Sequence, residues 1–125
     1  MSNGQLTLSI LLSLKQRRER RIRTAIARIE RSLQQLDLLG ESLMQQRQSL
    51  WQQWRGCGGG WLMTPEEWQQ LRARLASYYQ QDRALMEQIE LSKRQQAGLQ
   101  QEKQHQQQTL RQNQLEQEKL KIIME

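Results

Sequence analysis

Between Lys15 and Arg31 the chain carries eight positive side chains: Lys15, Arg17, Arg18, Arg20, Arg21, Arg23, Arg28 and Arg31. Only Glu19 and Glu30 oppose them, so this block holds the whole formal net charge of +6 and the rest is neutral on balance. Arginine presents a planar fork of donors that grips carboxylates and phosphates two-handed and sheds water more readily than an ammonium. A block of this kind calls for an anionic partner: nucleic acid, a lipid surface or an acidic patch on a protein. The plainer alternative is the solvated face of a long helix.

Bond-making chemistry has little to work with. The lone Cys57 and the lone His105 are far apart in the chain, which leaves no nucleophile–base pair and no metal site built on those ligands. Gly56 to Gly60 lack the Lys-Ser/Thr that a phosphate-cradling loop needs. The chain is therefore expected not to be an enzyme, with no cofactor and no metal. A single cysteine suits a reducing compartment.

A second candidate surface is aromatic. Trp51, Trp54, Trp61 and Trp68 cluster around the glycine-rich segment Arg55-Gly56-Cys57-Gly58-Gly59-Gly60. Trp54 and Trp68 fall at seam positions and read as core, whereas Trp51 lies beside the seam and Trp61 in the loop. Tyr79, next to the seam residue Tyr78, reads as outward. Trp51, Trp61 and Tyr79 either close the end of the helix pair or form an aromatic knob that docks a partner protein.

The elements that would position these groups are set by a seven-residue rhythm. Ile22, Ile29, Leu36, Leu43 and Leu50 share one heptad position. Ile26, Leu33 and Trp54 share the other, with Gly40 and Arg47 as exceptions. After the glycines, Trp68, Leu75, Ile89, Leu110 and Met124 alternate with Leu71, Tyr78, Leu85, Leu99 and Leu120. Spacings of 3 and 4 sustained this far make a coiled-coil seam. An apolar share of 36%, no Phe and 25 Gln leave too little for a thick core but enough for a seam. Gln suits the solvated faces of long helices, although Gln-rich tracts such as Gln104 to Gln108 are also compatible with disorder.

The expected fold is all-α, an antiparallel two-helix coiled-coil hairpin forming one domain over 1–125. Helix one spans about 6–54, the hinge loop about 55–63 and helix two about 65–122. The second start is the best specified: Thr64 as N-cap, Pro65 in the first turn and Glu67 completing a capping box. Met63 and Trp68 are spaced for a hydrophobic staple. At 1.5 Å per residue the arms would be roughly 70–90 Å long. Folding about the hinge matches Trp54 with Trp68, Leu50 with Leu71, Leu43 with Tyr78, Leu36 with Leu85 and Leu33 with Ile89. Gly40 then falls opposite Asp82 in one loose or polar layer. Ser92, Gln96, Lys103, Gln106 and Asn113 dilute the lower seam.

This architecture weighs on the choice of partner. Nucleic acid is not expected, because the basic block has no interleaved aromatics and a forked basic region needs a parallel dimer. Leu6, Leu8, Ile10, Leu11, Leu12 and Leu14 ahead of the arginines could form an interfacial amphipathic helix. Leu8 and Leu12, however, also continue the seam. That run is far short of the ~20 residues needed to span a bilayer, and it precedes its positive charge, unlike an export signal. A cytoplasmic protein with at most peripheral membrane contact is expected. A plain spacer, dimerising through Leu38, Leu39, Leu91 and Leu115, is the remaining alternative.

The start Leu11-x-x-Leu14-Lys15-x-Arg17-Arg18-x-Arg20-Arg21, the Trp68-x-x-Leu71-x-x-x-Leu75 opening of helix two, and the length and charge resemble one family. It is the central stalk proteins of bacterial type III secretion systems (YscO or SctO, with the flagellar counterpart FliJ). The resemblance covers nearly the whole chain and rests on its architecture. It implies a virulence-associated protein-transport role as stalk and regulator of a homohexameric secretion ATPase, one stalk per hexamer. The stalk would insert into the ring's pore, stimulate ATP hydrolysis and couple it to the export gate. It further implies handling of secretion chaperones and a place at the cytosolic face of the inner membrane. Arg17 to Arg31 and the opposing C-terminal segment would contact the ATPase, and the aromatic tip with Tyr78 and Tyr79 would face the gate. The C-terminal arm departs from this picture in having little net charge.

Overall fold

The computed structural model describes residues 2–57 and 63–125. Two helices, α1 (Asn3–Arg55) and α2 (Pro65–Met124), form an all-α antiparallel hairpin. The chain divides into two compact helix-pair units, Met1–Gln34 with Ala97–Glu125, and Gln35–Gln96. Gly58 to Gly60 and Trp61 lie outside the described residues. None of the described helices is long and apolar enough to cross a membrane.

The N-terminus of α2 is fixed by the expected capping box. Glu67 N donates to Thr64 Oγ1 at 3.2 Å, and Thr64 N donates back to Glu67 Oε2 at 3.4 Å. Met63 lines a hollow with Cys57, Glu67 and Leu71, while Trp68 is exposed.

The core is thin and heptad-spaced, as a seam between two helices must be. Ile22 and Ile29 are its buried apolar residues in the unit that contains the chain ends; Leu43, Leu50 and Ile89 are those of the other unit. Ser92, Asn113 and Gln117 are buried polar members of the same seam.

The register differs from the expected one. Asp82, expected opposite Gly40, instead meets Arg47 and Trp51, about two to three turns further along α1. Gly40 lies beside Ile89, Ser92 and Gln96, and Gln96 donates to Asp37 Oδ1 at 2.9 Å. The terminal unit keeps the same offset, with Lys103 beside Glu30 at 3.6 Å and Gln114 donating to Glu19 at 3.1 Å. The physical reason is that a heptad of apolar residues packs nearly as well two or three turns out of step, whereas a charge placed against a leucine does not. The seam's polar exceptions therefore choose the register: Arg47 takes Asp82, Gln96 takes Asp37 and Lys103 takes Glu30.

One consequence corrects the reading of Trp68 as core. With Arg47 and Trp51 level with Asp82, α1 stops at Arg55 before reaching the first turns of α2. Trp68 has no α1 residue opposite it and is 52% exposed. Trp54 remains half-buried.

Candidate protein-binding surfaces

The basic block separates into two groups. Lys15 is tied across the seam to Glu116, and Arg23 Nη2 donates to Glu19 Oε1 at 3.1 Å, one turn back on α1. Arg17, Arg18, Arg20, Arg21, Arg28 and Arg31 are exposed and form no ion pair among the described residues. Ile22 and Ile29 turn inward, so helical spacing sets Arg17, Arg20, Arg21, Arg28 and Arg31 on the side of α1 away from α2. That row extends about 21 Å along the helix. It is a ladder of guanidinium groups with no acid of its own chain.

Beneath the block lies a polar cluster that reading the charges alone misses. Glu19 accepts hydrogen bonds from Gln114 at 3.1 Å, Gln117 at 3.2 Å and Arg23 at 3.1 Å. These donors, the Gln114 amide first, hold its carboxyl below the usual range. Gln117 also donates to Asn113 Oδ1, while the Asn113 amide nitrogen is buried without a partner. The signal was in the seam itself. One heptad before Ile22 and Ile26 come Lys15 and Glu19, and Asn113 and Gln117 hold the two seam positions of α2. Lys15, hydrogen-bonded to Glu116, likewise holds that carboxyl down.

Of the aromatic candidates, Trp51 and Tyr79 fall within the described residues. Trp51 is partly exposed, but its indole N–H donates to Asp82 Oδ1 at 2.8 Å and its ring lies 4.4 Å beneath the Arg47 guanidinium. Arg47 Nε donates to the same oxygen at 2.8 Å, and this bond, more than the indole's, holds the Asp82 carboxyl below its usual range. Trp51 is thus a member of a cross-helix cluster, with one face left to solvent. Tyr79 is exposed and turned outward. Its neighbour Tyr78 is half-buried, and the Cys57 thiol beside it, together with burial, pushes its hydroxyl pKa up. Trp61 lies outside the described residues.

Among the described residues no group of three or more His, Cys, Asp or Glu is placed to hold a metal ion. No protein-family model, curated protein or solved structure matches this chain.

Proposed function

We propose that this protein is the central stalk of a bacterial type III secretion ATPase, a non-catalytic rotor-like element at the cytosolic face of the inner membrane. The observation that carries the reading is the outward row Arg17, Arg20, Arg21, Arg28 and Arg31, exposed and without an intrachain acid. A row of planar forks on one helix face suits acidic side chains lining the mouth of a ring. One hairpin cannot match six equivalent subunits at once. Bound asymmetrically, it favours one arrangement of nucleotide states over the others and so couples hydrolysis to movement toward the export gate. Exposed Tyr79, and the free face of Trp51, are the surfaces left for the gate or for secretion chaperones.

The test is ATP hydrolysis by a hexameric type III secretion ATPase with and without this chain. Stimulation and one hairpin per hexamer are expected, both lost when Arg17, Arg18, Arg20 and Arg21 become Glu. Equal stimulation of the monomeric ATPase, or no complex at all, would overturn the reading.

A further inference from the structure

The leucine-rich start of α1 is sorted by the fold into two faces. Leu8 and Leu12 are half-buried at seam positions. Leu6, Ile10, Leu11 and Leu14 are left out, at 52%, 54%, 42% and 53% exposed. Leu6, Ile10 and Leu14 follow at intervals of one turn, and Arg17 and Arg21 come next at the same i+3 and i+4 steps. An apolar stripe therefore runs directly into a basic one along a single helix face.

From this juxtaposition we infer that the N-terminal face of α1 docks in the plane of an anionic lipid surface. Leu6, Ile10, Leu11 and Leu14 enter the headgroup–acyl boundary, and Arg17 and Arg21 meet lipid phosphates. The inference does not rest on the stalk reading. Three points support an anionic lipid surface. The apolar side chains stand on the outer surface of one helix, whereas those turned toward α2 are Leu8 and Leu12, so they offer a face to a plane rather than a groove to a knob. No acidic residue precedes Glu19, and the first turn of α1 carries none, so the positive end of the helix dipole adds to the arginines. Finally, arginine stems can lie along the apolar boundary while their heads reach the phosphates. With no described helix able to cross a membrane, the contact is interfacial.

The experiment is co-sedimentation of the full chain with vesicles of phosphatidylcholine alone and of phosphatidylcholine mixed with phosphatidylglycerol. Binding to the mixed vesicles only is expected, weakening as NaCl rises from roughly 50 to 200 mM. Ile10→Ser with Leu14→Ser, two exposed positions, should lower the association constant by about tenfold or more, with the helical circular dichroism unchanged. An unchanged constant in that variant would reduce the effect to charge adsorption and overturn the inference. So would absence of binding to the mixed vesicles, including the case where an acidic amphipathic peptide binds the same face.

Discussion

At the scale of single residues, two features of the seam have measurable consequences. Gly40 sits within α1, and a Cβ added there meets nothing within 4 Å. Gly40→Ala should therefore gain helix propensity without a clash, raising stability by about 1 kcal/mol in thermal or urea unfolding. A loss would mean that the hollow shared with Ile89, Ser92 and Gln96 is tighter than its geometry implies. The second feature is acid sensitivity. Glu19, Asp82 and Glu116 all have carboxyls held below their usual range by hydrogen-bond donors and cations. A depressed folded-state pKa means that the unfolded chain takes up protons first. Their stabilisation is thus complete above the ordinary carboxylate pKa of about 4 and fades as pH falls through the lower folded values. Melting temperature should stay level from pH 7 to about 5 and drop below about 4. Asp82→Asn should flatten part of that drop while costing about 1 kcal/mol at neutral pH.

At the scale of the helices, the fold class and the register differ in how readable they were. The heptads of α1 and the Thr64–Glu67 box fixed two helices and the start of the second, because both signals are local. Register is not local. Apolar layers repeat every seven residues, so matching Leu43 with Tyr78 about the hinge midpoint looks as sound as any shift along the seam. The deciding pairs, Arg47 with Asp82 and Asp37 with Gln96, read individually as defects. The candidate site inherited the same gap. The charge block was visible in composition, but which cations are already engaged depends on what lies across the seam, as Lys15 with Glu116 shows. In a Cys57→Ser background, Arg47→Cys with Asp82→Cys should cross-link through a short bis-maleimide, and Gly40→Cys with Asp82→Cys should not. The reverse result would restore the hinge-centred register. Asn113 extends the same logic. Its amide nitrogen, buried without a partner, costs stability while a polar seam residue helps to specify register. Asn113→Leu should raise stability by about 1 kcal/mol. It should also broaden the cross-linking pattern of Glu30→Cys with Lys103→Cys.

For the whole molecule, what matters is where the charge of +6 sits and what holding it there costs. Arg17 with Arg20 and Arg21, and Arg28 with Arg31, stand one turn apart on one helix, and like charges at that spacing repel by roughly 0.2–0.5 kcal/mol per pair. The Arg23–Glu19 and Lys15–Glu116 contacts relieve their own members only. A row serving the fold alone would be stabilising, whereas a row kept for an anionic partner should be a burden on the free protein that the partner relieves. The two cases are separable by changing Arg17, Arg20, Arg21, Arg28 and Arg31 together to Gln. Glutamine forms helix about as readily as arginine, so propensity is nearly constant. The five charges removed bring the formal net charge from +6 to about +1. At low ionic strength the variant should be more stable than the parent by about 1 kcal/mol. That gap should close as salt shortens the screening length toward the spacing between the guanidinium groups. The same variant should lose both ATPase stimulation and binding to anionic vesicles, since each draws on Arg17 and Arg21. A variant less stable than the parent at every salt concentration would instead make the arginine row part of what holds the hairpin together.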